Sequence, residues 1–291
     1  MCPLTATAEI YEYSATPRGS ANYLTADFRC WIPQTDKPLA GVLVIVPQQD
    51  TDGREKAEAV LYQQRCAKWN FALVGCYFTG GESKFYSNPR GGSGLALKAA
   101  LRSFSDQSGK RELFNANIAV MGLSTGAQFA FGIACTDASN VIAFVSNKGV
   151  YFQARPVGAT YDVPGLFIIG ANDPTKSQEN TEKVFKQGRD RGALWALTTA
   201  AGQEHEQGGS QTLNLMLNYL DACITARIDP ERPSNPLEKL KVWEGTLLNR
   251  TNATIAPSDD RKAERNSDLN WFPDLKAAEL FINSSTHTPN S

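Results

Sequence analysis

A serine hydroxyl becomes a working nucleophile only when a base can take its proton and the backbone lifts the side chain clear of its surroundings. The segment Gly122-Leu123-Ser124-Thr125-Gly126 offers such a serine. It continues the apolar run Ile118–Leu123 and leads into the helix-compatible stretch Ala127-Gln128-Phe129-Ala130-Phe131-Gly132-Ile133-Ala134-Cys135. In that strand-turn-helix setting, small residues at both ends of G-x-S-x-G let the turn tighten until the serine stands out at the carboxyl edge of a sheet.

The chain has two histidines to serve as base, His205 and His287. His287 lies near the carboxyl end in a Ser/Thr/Asn-rich stretch, a poor place to hold a rotamer. His205 follows an apolar, strand-like run within Ala200-Ala201-Gly202-Gln203-Glu204-His205-Glu206 and precedes a helical pattern, so it is the expected base. A carboxylate is then needed to hold the imidazole tautomer. Asp173 occupies the tip of the apolar run Leu166–Gly170, in Ala171-Asn172-Asp173-Pro174. Asp162 precedes that run and falls at the opposite edge, while Glu204 and Glu206 are too near His205 in sequence to reach its ring easily.

These side chains require a scaffold that brings strand ends together. Gly41–Val46, Phe71–Tyr77, Ile118–Leu123, Val141–Ser146, Leu166–Gly170 and Ala193–Thr198 are short, continuously apolar runs, as strands covered on both faces must be. Helical patterns alternate with them over Glu55–Trp69, Leu95–Ser105, Thr125–Cys135, Asn180–Arg191 and Gln211–Ala226. Ala8–Tyr13 and Tyr23–Ile32 read as an opening antiparallel hairpin. The expected architecture is a doubly wound, mostly parallel eight-stranded α/β sheet whose ligand site lies beyond the carboxyl ends of the strands. The stretches between strands leave little room for a cap domain, and no large one is expected.

After Arg227, prolines at 230, 233 and 236 punctuate a polar stretch. We expect residues 1–226 to form the main unit, and 227–291 to be an extension that packs on it through Trp243, Trp271 and Phe272, whose rings are costly to leave in water.

On the Gly122–Gly126 motif in its strand-turn-helix context, and on the chain order Ser124, Asp173, His205, residues 8 to about 226 resemble the α/β-hydrolase superfamily. The nearest branches are the cap-less dienelactone-hydrolase, feruloyl-esterase and polyhydroxybutyrate-depolymerase-like ones. The resemblance implies that the backbone N–H of Thr125 is one oxyanion donor. It places the second in the loop Pro47-Gln48-Gln49-Asp50-Thr51-Asp52-Gly53, which departs from the family's His-Gly pattern and leaves Gln48 and Gln49 as candidates. The implied activity is serine-dependent hydrolysis of a carboxylic ester through an acyl-enzyme, without cofactor or metal. The expected partner is a small-molecule or polymer-linked ester, and an open cleft would suit bulky or polymer-linked ones. A peptidase or thioesterase on the same three residues, or an inactive acyl-binding protein, are the alternatives.

Other features exclude or leave open further functions. Lys plus Arg number 29 and Asp plus Glu 30, with no basic stripe, which argues against nucleic acid as a partner. No apolar run is long enough to span a membrane. Arg90-Gly91-Gly92-Ser93-Gly94 lacks the third glycine of a dinucleotide fingerprint and the lysine of a P-loop, and reads as a tight helix start. Asn147 to Phe152 could line the cleft with Tyr151 and Phe152, and Trp195 reads as core. The cysteines beyond Cys2 lack C-x-x-C spacing and read as buried small hydrophobes. Asn249, Asn252 and Asn283 form N-x-S/T sequons in a segment rich enough in these residues to produce them by chance. Cys2 at the start fits either an ordinary terminal cysteine or the lipid-attachment cysteine of a mature lipoprotein. With the family resemblance, this favours a periplasmic or secreted setting.

Overall fold

The structure is a computed structural model that describes residues 8–81, 83–205, 209–233, 235–256 and 263–286; Cys2, Glu206 and His287 lie outside them. The apolar runs fold as strands because only a sheet covered on both faces can bury every side chain of such a run. They are β3 (Gly41–Val46), β4 (Phe71–Thr79), β5 (Ile118–Leu123), β6 (Val141–Asn147), β7 (Gly165–Gly170) and β8 (Trp195–Ala200). With β1 (Glu9–Ser14) and β2 (Thr25–Ile32) they form one eight-stranded sheet in the order β1-β2-β4-β3-β5-β6-β7-β8. The β1–β2 and β2–β4 pairs are antiparallel, and the remaining neighbours are parallel.

The winding reverses at β3, which lies between β4 and β5. A crevice therefore opens beyond the carboxyl ends of β3 and β5, where ligands bind in open α/β sheets. Helices α2 (Ser93–Ser108), α3 (Thr125–Thr136) and α4 (Thr175–Arg189) cover one face. Helices α1 (Val60–Trp69), α5 (Ser210–Arg227) and α6 (Leu275–Thr286) cover the other. The alternation along β3 shows the division, with Val42, Val44 and Val46 in the first core and Leu43 and Ile45 in the second. Trp195 is fully buried, with the Phe131, Phe144 and Phe167 rings at 5.8, 6.0 and 5.4 Å.

Two helices differ from the sequence expectation. The pattern over 55–69 breaks into a 3₁₀ turn, Arg54–Glu58, and then α1, because Ala59 is extended; the carbonyl of Ala57 exposed by the break accepts from the Gln63 side-chain amide at 2.9 Å. Helix α4 starts at Thr175 rather than Asn180. Its first turn, Thr-Lys-Ser-Gln-Glu, carries no apolar periodicity, and it is Pro174, with φ −52°, that sets the backbone for the helix.

Residues after Arg227 add β9 (Thr246–Asn249), antiparallel to β10 (Leu269–Phe272), and then α6. Trp271 and Phe272 are buried, whereas Trp243 is 52% exposed and carries the Lys241 ammonium 5.3 Å from its ring centre. Trp243 is thus not one of the residues that pack the extension on the core. Polar groups do much of that work. The Asn270 carboxamide accepts from Leu197 N at 2.8 Å and donates to Leu197 O at 3.1 Å, so one side chain completes the ladder of the edge strand β8. Buried Arg189 donates to the carbonyls of Leu269 (2.9 Å), Ala263 (3.5 Å) and Ala193. Arg227 donates to those of Val141, Ile142 and Glu238 at 2.7, 2.9 and 3.0 Å. Burial lowers both guanidiniums to about 10, which leaves them charged at neutral pH.

The five described cysteines are buried and unpaired. Burial raises all of their thiols, Cys135 and Cys223 to about 12, so they behave as apolar side chains. Among the described residues no helix is long and apolar enough to cross a membrane.

Candidate active site

Ser124 joins β5 to α3 with φ 55° and ψ −115°, a conformation that a residue with a side chain adopts only under constraint. The constraint is steric and local. A Cβ on Gly122 would lie 2.1 Å from Gly126 O, and one on Gly126 would lie 2.2 Å from Val46 O, so nothing larger than glycine fits at either end of the turn. Hydrogen bonds complete it: Ser124 N donates to Asn147 O at 3.0 Å, and Ser124 O accepts from Ala127 N and Gln128 N at 3.0 and 3.2 Å.

His205 reaches the serine from the loop after β8, with Nε2 2.8 Å from Ser124 Oγ. Its Nδ1 lies 3.0 Å from Asp173 Oδ1. The carboxylate can only accept, so it selects the Nδ1–H tautomer and leaves Nε2 free to accept the serine proton. Asp173 Oδ2 accepts from Gly170 N at 2.7 Å, and its side chain is 2% exposed against 25% for His205. A Cβ at Gly170 would stand 3.0 Å from Asp173 Cγ, tight enough to push the carboxylate away. The acid is thus buried and fixed, and the imidazole is open on one side. Asp162 lies before β7, at the other edge of the sheet.

The Thr125 N–H opens α3, where the first amides have no intrahelical acceptor. Across the crevice, the loop after β3 is held by side chains. Fully buried Tyr86 donates from its hydroxyl to Pro47 O at 2.6 Å. Gln49 Nε2 donates to Gly81 O at 2.9 Å, and Asp50, at φ 58°, accepts from Gly80 N at 2.9 Å. In a trans peptide the N–H points opposite to the C=O. Anchoring the Pro47 carbonyl on Tyr86 therefore fixes the direction of the Gln48 N–H as well.

Lys148 was not among the residues singled out from the sequence. It is 1% exposed, at φ 56°, and its Nζ donates to Glu204 O at 2.7 Å, one residue before His205. Burial pushes its ammonium below the usual lysine range, and the Asp173 carboxylate pulls it back up. The available signal was a lysine directly after a wholly buried strand, at the edge where the serine emerges.

Two weaker motifs are packing features. Ser93, in the glycine-rich stretch, donates to Tyr86 O at 2.7 Å and takes the Asn22 carboxamide on its N–H at 3.0 Å, so this helix start is occupied by the protein's own groups. Phe152 packs edge-on against Phe131 at 5.2 Å, while Tyr151 is exposed.

No protein-family model matches the sequence, and no curated protein matches it. Solved structures do. A ferulic acid esterase aligns with TM-score 0.52 at 10% identity, over 68% of this chain and 92% of its own. A thermostable esterase gives 0.51 at 14% identity, over 80% of this chain and 63% of its own. An S-formylglutathione hydrolase from Staphylococcus aureus gives 0.49 at 11% identity, over 75% and 98%. The sheet order and the likeness to the first two establish an α/β-hydrolase fold for this chain.

Proposed function

We propose that the protein hydrolyses carboxylic esters through an acyl-enzyme on Ser124. The observation that carries this reading is the hydrogen-bonded line from Ser124 Oγ through both nitrogens of His205 to the buried carboxylate of Asp173. Ser124 Oγ bonds to the ester carbonyl carbon while its proton passes to His205 Nε2. The carbonyl electron pair moves onto oxygen, where the N–H groups of Thr125 and Gln48 donate to it, Gln48 being favoured over Gln49 by the anchored Pro47 carbonyl. Donors placed for that oxygen are worth about 3 kcal/mol each. The carbon–oxygen bond to the alcohol then breaks, and the leaving oxygen takes the proton from Nε2. Water repeats the sequence: its proton goes to Nε2, its oxygen bonds to the acyl carbon, and Ser124 leaves and regains the proton. The Asp173 carboxylate stabilises the imidazolium formed in each half.

A fluorophosphonate probe tests the reading, because it labels only an activated serine. Labelling of the wild type and none of Ser124→Ala is expected. An unlabelled wild type, or equal labelling of both, removes it and leaves an acyl-binding protein.

We read residues 1–226 as the catalytic unit and 227–291 as its extension, with support from the Asn270 and Arg189 bonds across the join. Truncation at Ala226 bares the β8 edge and is expected to lower the melting temperature; an unchanged melting curve would refute the docked extension.

A further inference from the structure

The connection from β6 to β7, residues 148–164, has no long helix. Gly149, Pro156, Gly158 and Pro164 interrupt it, and it forms a single 3₁₀ turn, Gly158–Asp162. A groove of about 650 Å³ is left between this connection and α4. Its two walls are fixed to one another. Asn180 Nδ2 and Thr181 Oγ1 of α4 donate to Val150 O and Gly149 O at 3.1 and 3.0 Å, and the Tyr161 hydroxyl donates to Pro156 O at 3.0 Å. Phe152 is packed on the Phe167 ring at 5.9 Å. The groove is therefore formed before any ligand arrives.

Its chemistry is set by three cations, Arg155 on the connection, Lys183 on α4 and Arg191 just beyond it, with no carboxylate in the lining. Over the whole chain 29 Lys plus Arg stand against 30 Asp plus Glu, so this cluster is not the average of the surface. All three side chains are exposed, and none forms an ion pair with a described residue. Along α4 the polar groups follow an order. Asn180, Lys183, Gln187 and Arg191 recur at steps of three and four residues, which places them in one row. Carboxamide and cation alternate in that row, and its two charges, eight positions apart, lie roughly 12 Å from each other along the axis. On the other wall Tyr151 offers an exposed ring.

We propose that this groove binds an acidic polysaccharide, a chain of uronic-acid units whose carboxylates meet Arg155, Lys183 and Arg191 while its hydroxyls meet the carboxamides between them. Guanidinium and ammonium groups take carboxylates, and a carboxamide both donates to a hydroxyl and accepts from it. The negative face of an aromatic ring meets the C–H face of a sugar ring. A neutral glycan would leave the three cations unused. Polyphosphate carries a charge at every link and no hydroxyl, so the carboxamide oxygens between the cations would meet only acceptors. The inference does not depend on the esterase reading; it adds a second site, on the connection that begins one residue after the Asn147 carbonyl bonded to Ser124 N.

The test titrates a defined oligogalacturonate into full-length Ser124→Ala, which binds without turning over ester, by calorimetry at low salt. Saturable binding is expected, and it should weaken by about tenfold or more at high salt as the charges are screened. Adding Arg155→Ala, Lys183→Ala or Arg191→Ala should each weaken it by about twofold to fivefold, as exposed ion pairs do, and all three together by about tenfold or more. Each replaced side chain is exposed, so the melting temperature should not move. The fully methyl-esterified chain keeps the hydroxyls without the charges, and linear polyphosphate keeps charges without hydroxyls; both should bind about tenfold more weakly or worse. No binding of the oligogalacturonate, binding undiminished by the three substitutions together, or equal binding of the methyl-esterified chain or of polyphosphate overturns the proposal. The readout is binding by a protein without the nucleophile. A wild type that fluorophosphonate fails to label would therefore remove the esterase reading and leave this site standing.

Discussion

The turn that carries Ser124 and the loop that carries Gln48 face each other across one crevice, yet they are held in different ways. The turn is fixed by what cannot fit: Gly122 and Gly126 leave no space for a side chain, and the backbone has one route between β5 and α3. The loop is fixed by what reaches it from elsewhere, namely the Tyr86 hydroxyl on Pro47 O and the peptide groups of Gly80 and Gly81 on Asp50 and Gln49. Steric exclusion within a few residues is encoded locally and is hard to loosen. A loop tied by single hydrogen bonds from distant residues can be loosened one bond at a time, with graded effects on the chemistry.

The largest effects should come from the relay at the turn. Ser124→Ala and His205→Ala are each expected to lower kcat by about 10⁴–10⁶, with the double variant scarcely worse, because the residues act as one unit. Asp173→Asn should cost less than either, since the site forms but holds the wrong tautomer. Additive losses in the double variant, measured by steady-state kinetics, would show that the two side chains act separately.

On the loop side a smaller effect is expected. Tyr86→Phe removes only the hydroxyl bonded to Pro47 O, leaves the ring stacked on Phe78 at 4.7 Å, and frees the Gln48 peptide to turn. A fall in kcat of about tenfold with little change in KM is expected, part of the roughly 3 kcal/mol that one donor supplies. A change in KM alone would mean that the loop holds substrate and not the developing oxyanion.

The smallest effect concerns Lys148, which joins the two modes by holding the Glu204 carbonyl beside His205. Its ammonium is lowered by burial and favoured by Asp173. Lys148→Met removes the donor to Glu204 O and is expected to lower kcat/KM by about tenfold or less, the worth of one hydrogen bond, and Lys148→Arg should keep it near the wild-type value. An unchanged kcat/KM in Lys148→Met would assign the residue to packing alone.

Much of this was legible in the sequence. Strands buried on both faces announce themselves as unbroken apolar runs, and alternation with helical patterns leaves few topologies. Ser124, Asp173 and His205 could be chosen because each stands at the end of such a run, so the topology brings them to one edge. The extension was harder to see. Its strands β9 and β10 are four residues each and gain their order by packing beside β8, where Asn270 acts as a ladder partner that no pattern of hydrophobicity reveals. Trp243, expected inside from its size, stays outside because Lys241 and solvent cover its face.

What the sequence determined by itself is whatever depends on neighbours in the chain: the two glycines that force the turn, the strand and helix periods, the order of the three polar residues. What only the tertiary structure decided depends on residues far apart in the chain. Tyr86 sets the direction of an amide at position 48, and Lys148 anchors the backbone at 204. Short-range sterics act before the chain folds, whereas long-range hydrogen bonds and cavities exist only once it has closed, so no local pattern can encode them.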